Sequence, residues 1–260
     1  MTRTAVLPTP EALVAAGEAF FAAGEMDKAF SAFTQGANAG NATAWMWLST
    51  CHAEGTGTAR SEELALACLR NSARLGQSQA QSNLGVKLIQ NSGSSLGNVS
   101  VQDTETGQDT QRLVANGEGY TPSPEVLEGL DWLRKAAAQK DVGACFNLGT
   151  ILSRGKEVAP LWREAVEAYQ TAALAGHFPS QIRLGFCYRN GLGLPKDRVQ
   201  AFLWTALAAR HGVGSALEQL EKIVFEMSAR ERADGEDLLR AQSDPAALTR
   251  GAVPFKVVTG

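Results

Sequence analysis

The sequence predicts an all-α fold, an α-solenoid of stacked helix-turn-helix repeats, on three observations. Leu48, Leu84, Leu148, Leu184 and Leu220 recur at steps of 36, 64, 36 and 36 residues, and a fixed period of this size marks a repeat architecture. The same register holds Ala44, Ala80, Ala144, Ser180 and Ala216 four positions upstream, then Gly40, Gly76, Lys140, Gly176 and Gly212, and an unbroken column of Ala37, Ala73, Ala137, Ala173 and Ala209. The composition agrees: 41 Ala against 20 Val plus Ile in 260 residues favours helices packed through small side chains over any large sheet. About five copies fit the 36-residue period, and the one long step equals 36 plus an insertion of 28.

Residues 1–10 read as a tail. Glu11 to Ala23 forms the first helix, apolar at Leu13, Ala16, Phe20 and Phe21 and closed by Gly24. It is a half-repeat that covers the N-terminal end, and with the first two copies it occupies 11–90. Each copy then reads as two helices. In the fourth, Arg163 to Leu174 carries Ala165, Tyr169, Ala172 and Ala173 on one stripe, Gly176 ends it, and Ser180 to Arg189 follows with Leu184 and Tyr188 four apart. Glycine turns come next, Gly55-Thr56-Gly57 in the first copy and Gly191-Leu192-Gly193 in the fourth.

Residues 91–124 hold the insertion. Asp103, Glu105, Asp109 and Glu118 against Arg112 give it −3, equal to the net charge of the whole chain. With Tyr120 as its one aromatic residue it buries too little apolar surface to offset ordering entropy, and it is expected to be disordered. Copies three to five fill 125–226. Ser228-Ala229-Arg230-Glu231 then matches a capping box and opens a C-terminal capping helix within 227–243, before Asp244-Pro245 and a flexible tail over 244–260. Leu203 and Leu207 stand in columns that hold Ser31, Ala67, Asp131 and Glu167, and Gln35, Asn71, Lys135 and Thr171, in the other copies. Either the capping helix covers these two leucines or they form an apolar partner site.

The fourth copy carries a family resemblance. Ala165…Tyr169-x-x-Ala172-Ala173-x-x-Gly176…Leu184-Gly185-x-x-Tyr188-x-x-Gly191-x-Gly193-x-x-Lys196-Asp197-x-x-x-Ala201 resembles the Sel1-like repeat (SLR), a relative of the tetratricopeptide repeat. Trp132-Leu133-x-x-Ala136-Ala137…Leu148-Gly149 in the third copy is similar to it too. The likeness spans about residues 27–90 and 125–226, with departures at Ser49, Asn91 and Glu221. It implies a non-catalytic scaffold or adaptor that binds a protein or peptide. The alternative is a small-ligand-binding or hydrolytic enzyme built on the same array.

A net charge of −3 argues against nucleic acid as a partner. The start lacks the apolar core of a secretory signal, and no run approaches a membrane span, so membrane insertion is not expected. Four cysteines without an export signal read as reduced thiols in a cytoplasmic protein. Secreted members of the resembled family pair cysteines within each helix pair, a pattern absent here, although Cys51 and Cys68 flank one turn symmetrically. His52, His177 and His211 have no second ligand at metal spacing: His52 reads as a packed core residue, the other two as caps on free helix-end carbonyls. No nucleotide loop, serine elbow or zinc motif is present, and neither a cofactor nor a catalytic residue is expected.

What remains is a surface. The first helix of each copy is expected to line the inner face of the stack, where outward positions vary between copies. On that face Arg70, Asn71, Arg74, Asp131, Arg134, Lys135, Glu167 and Gln170 are the candidate partner-binding residues. Arg70, Arg74, Arg134 and Lys135 form a basic band suited to an acidic or carboxylate-ended peptide, and the acidic insertion is placed to mask it.

Overall fold

The computed structural model describes residues 8–92, 122–155 and 160–243. The insertion from 93 to 121, its expected disorder and any contact it makes with the basic band lie outside these, as do residues 1–7 and the tail from 244 onward. The described residues form twelve helices and no strand: α1 (Pro10–Ala22), α2 (Met26–Asn38), α3 (Ala42–Glu54), α4 (Glu62–Arg74), α5 (Ser78–Asn91), α6 (Pro124–Ala138), α7 (Val142–Arg154), α8 (Trp162–Leu174), α9 (Phe178–Asn190), α10 (Arg198–Ala209), α11 (Gly214–Glu226) and α12 (Ala229–Ser243). They divide into two compact units, one holding the residues up to Asn91 together with Leu127–Asp141, the other those from Val142 onward.

Caps set the helix starts. Thr9, Asn41, Ser61 and Asp197 each accept a backbone amide three residues on, at 3.0–3.2 Å, so an otherwise orphaned donor is satisfied. Gly40, Gly76, Gly176 and Gly212 end helices at φ between 72° and 90°. Lys140, in the same column, holds the same left-handed turn at φ 61° with a side chain in place. A non-glycine residue there costs about 1–2 kcal/mol. Lys140→Gly is therefore expected to stabilise the fold by about 1 kcal/mol, read as a higher denaturant midpoint at unchanged slope.

The packing corrects the phase of the repeat. The closest partners are α1 with α2, α3 with α4, α7 with α8, and α9 with α10, so the tight pair straddles the glycine turn rather than preceding it. At three crossings the residue after the conserved leucine has no room for a side chain. A Cβ on Gly85 would lie 2.6 Å from the Gly129 carbonyl oxygen, on Gly149 2.7 Å from the Tyr169 ring, and on Gly185 2.3 Å from the Thr205 hydroxyl. Ser49 occupies this place in the first copy and donates its hydroxyl to the Ala65 carbonyl at 2.8 Å, so the departure from Leu-Gly is compensated.

The first unit buries Phe33 and Leu48, with Trp47 stacked parallel on Phe33 at 5.2 Å. Cys51 and Cys68 sit in the same cluster as free thiols, and Cys145 and Cys187 are free and buried in the second unit. His52 packs edge-on against Phe30 at 5.5 Å, as a core residue does. In the second unit Trp204, Tyr169, Leu184 and Ile182 are fully buried. The capping box is present, with the Ser228 amide donating to Glu231 at 2.7 Å and the Glu231 amide to the Ser228 hydroxyl at 3.3 Å. Its helix, α12, packs on α10, where Gly235 lies against the Phe202 ring. Leu203 is buried and Leu207 half-buried, whereas Ser31, Ala67, Asp131 and Glu167 of the matching column are exposed. Both leucines lie on α10, the helix against which α12 packs.

Candidate functional site

The candidate surface in the first unit is built by α4 and α6. Ser61 caps α4 and Ser123 accepts the Val126 amide at 3.4 Å at the start of α6, just after the insertion. Leu69 and Ala73 on α4 and Trp132 on α6 pack into one apolar cluster with Leu84 and Leu88, which fixes the two helices against each other. Their polar faces then meet. Arg70 grips Glu128 through both guanidinium nitrogens, the second at 3.4 Å, although 58 positions separate them. The Trp132 indole donates to the same carboxylate at 3.2 Å. Lys135 lies 4.3 Å above the Trp132 ring and pairs with Asp131 at 2.7 Å, so a cation–π contact and an ion pair hold one ammonium.

The basic band is thus partly satisfied from within, which corrects the expectation of four open cations. Arg70 is committed to Glu128 and Lys135 to Asp131, while Arg74 and Arg134 are exposed at its outer edge and Asn71 is half-buried. Glu167 and Gln170 belong to the second unit. Glu167 is exposed near Arg163, at 3.8 Å, whereas Gln170 is 8% exposed and is a core residue, not a contact position. Tight packing of α8 around Tyr169 explains it: Ala168, Tyr169 and Gln170 are all buried, a stripe wider than the apolar spacing indicated. Sequence reasoning missed Glu128 altogether, since no local pattern links it to Arg70. Trp132 was visible only as a motif residue.

The Arg70 hydrogen bond holds the Glu128 carboxyl below the ordinary carboxylate range, aided by Trp132 and by the charges of Arg70 and Arg74, against desolvation. A carboxyl lowered in the folded state contributes stability above its unfolded value, about pH 4.3, and loses it as pH falls through the folded value. With side chains 31% and 40% exposed, the pair is screened and its contribution is small. Between about pH 5 and 3, Glu128→Gln is accordingly expected to lose slightly less stability than the parent, measured by urea unfolding at each pH.

The histidines behave differently from the expected caps. The His177 ring nitrogen Nδ1 lies 2.8 Å from the Ser180 hydroxyl at the start of the next helix, and its ring packs on Phe146 at 4.9 Å. Burial lowers its pKa. His211 meets Phe178 at 5.5 Å. Among the described residues no cluster of His, Cys, Asp or Glu could hold a metal ion, and no helix is long and apolar enough to cross a membrane.

Paired helices in register, crossing at Leu-Gly positions and joined by glycine turns, define a helical-repeat protein of the solenoid class. The chain belongs to the Sel1 repeat family, whose model matches residues 44–77, 113–141, 142–177 and 179–213. Three of the four matched segments begin on α3, α7 and α9, the same phase as the packing. A Sel1 repeat protein from Oxalobacter formigenes superposes with a TM-score of 0.60 at 22% identity, over 88% of this chain and 84% of that one. A protective antigen with an SLR fold from uropathogenic Escherichia coli, c5321, gives 0.48 at 24% identity, over 93% and 55%. The alginate biosynthesis protein AlgK of Azotobacter vinelandii is 29% identical over 127 residues, 48% of this chain. The chain spans only 27% of that relative's length.

Proposed function

We propose that this protein is a non-catalytic interaction module whose α4–α6 surface binds an acidic segment of a protein partner. One observation carries the reading. Arg70, Glu128 and Trp132 form a braced floor, and Arg74 and Arg134 stand exposed beside it. A pre-organised floor lowers the ordering cost of binding, and exposed arginines present forked donors to carboxylates. Membership of the Sel1 repeat family supports the interaction role. Four buried free thiols accord with a cytoplasmic setting, which belongs to the same proposal.

The test begins with affinity capture on the full chain and mass spectrometry of stoichiometric partners. Binding of that partner is then measured for Arg74→Ala/Arg134→Ala. A loss of affinity of about tenfold or more, shrinking at high salt, is expected, since each charged hydrogen bond contributes about 1.5–3 kcal/mol at most. Unchanged affinity removes the surface from consideration.

A further inference from the structure

We propose that the seam between α9 and α10, in the second unit, holds a separate binding site that takes a tryptophan indole of a partner's segment through its N–H. Gln181 on α9 carries the observation. It is only 6% exposed, and its amide nitrogen donates to the Ala173 carbonyl at 3.2 Å. Only the nitrogen of a carboxamide can donate to a carbonyl, so this bond fixes which way the amide faces. Its oxygen Oε1 is buried and has no hydrogen-bond partner among the described residues. A buried acceptor without a donor is costly and uncommon.

The first unit shows which donor is missing. Gln81 stands in the same column as Gln181 and makes the same bond, to the Ala73 carbonyl at 3.0 Å. There the Gln81 oxygen accepts the Gln139 amide, from the end of α6, at 2.8 Å. The two seams are built alike. A Cβ on Gly85 would meet the Gly129 carbonyl and Leu133, and one on Gly185 would meet the Ala201 carbonyl and Thr205, each 72 positions further along. The same shift carries Gln139 to His211. The His211 ring, however, packs on Phe178 with centroids 5.5 Å apart. Gln139 is exposed, so the bond in the first unit closes at the surface, and the matching acceptor in the second lies one side chain deep. The incoming ring displaces the exposed His211 side chain and stacks on Phe178 in its place.

The walls decide the class of donor. Beside Gln139 in the first unit, Ser78 donates its hydroxyl to the Asp141 carboxylate at 3.1 Å. The same two columns hold Phe178 and Val213 in the second unit. Phe178 is 38% exposed, with Val213 half-buried and the His177 ring stacked at 6.3 Å. With valine where Asp141 stood, these walls offer no charge to a lysine or arginine. An asparagine or glutamine would set its own oxygen against apolar side chains. A neutral, flat ring with one N–H and no acceptor satisfies both the oxygen and the walls, and among side chains that is the indole. A protein as carrier rests on the interaction-module reading, whereas the indole site does not.

The experiment follows the His211 and Phe178 ring resonances by NMR in the full chain. The probes are the blocked peptide Gly-Gly-Trp-Gly-Gly and the same peptide with tryptophan methylated on the indole nitrogen. The tryptophan peptide is expected to shift both rings and to bind at least about fivefold more tightly than the methylated one, the difference one hydrogen bond makes. His211→Gln installs the residue of position 139 and supplies the donor from within. It is expected to raise the melting temperature by about 2–4 °C and to weaken the tryptophan peptide at least about fivefold. His211→Ala, which opens the place without filling it, is expected to bind at least as tightly as the parent. Equal binding of the two peptides, unmoved rings, or undiminished binding by His211→Gln would overturn the site, and so would a melting temperature that His211→Gln does not raise. A response lost in Arg74→Ala/Arg134→Ala and intact in His211→Gln would also overturn it, while leaving the α4–α6 surface standing. A peptide response of the expected pattern supports the site even where affinity capture returns no protein partner, in which case the interaction-module reading fails alone.

Discussion

Gly193→Ala is expected to cost about 3 kcal/mol or more, whereas Gly176→Ala, at a similar backbone conformation, costs about 1–2. Both glycines are left-handed, with φ of 72° and 84°, so the conformational penalty is shared. They differ in what a methyl would meet. Nothing lies within 4 Å of a Cβ at Gly176, but at Gly193 it would fall 2.4 Å from the Trp162 carbonyl oxygen and 2.5 Å from its carbon. Backbone at the start of α8 cannot swing aside as a flexible side chain would, so the turn or the helix must move. Gly57 repeats the arrangement against the Met26 carbonyl, also at 2.4 Å. Thermal unfolding of the two variants side by side checks this, and the gap between them should be roughly 2–8 °C or more at about 2–4 °C per kcal/mol for a chain of this size. Equal melting temperatures would show that the turn is not gripped by its neighbour.

Removing residues 228–260 is expected to destabilise the second unit by roughly 3–6 kcal/mol and to promote self-association. The truncation uncovers α10, whose Leu203 and Phe202 are 2% and 9% exposed in the intact fold. Burying a leucine or phenylalanine is worth about 1.5–3 kcal/mol each. The truncation also removes the Arg198–Glu231 pair, 3.3 Å apart, but a partly exposed ion pair adds little beside the apolar term. Denaturant unfolding and light scattering measure the two effects. An equally stable, monomeric truncated chain would mean that α12 is not a cap.

The difference between those residues and the partner-face residues shows what kind of information a single chain carries. The columns announced Leu203 as a covered position because a leucine appeared where other copies keep polar residues, and the packing of α12 on α10 agrees. Lys140 was equally legible as a helix end, since four glycines share its column. Gln170 was misread because it is polar and lies in a column with Thr34, Arg70 and Arg134, yet α8 buries it. Hydrophobic spacing marks the middle of a buried stripe well and its edges poorly, since the edge depends on how closely the neighbouring helix approaches.

The sequence alone was enough to specify helices, their ends and the repeat. These follow from local rules: side-chain spacing, amide capping and the few residues that tolerate a left-handed turn. Which helix pairs with which, and which charges meet, came only with the packed chain. The helix pairing is one element out of phase with the copies that the sequence columns mark, because Leu-Gly contacts join residues across the turn. The grip of Arg70 on Glu128 is set by the distance between residues remote in sequence. Electrostatic pairing acts through space, and no spacing along a chain encodes it.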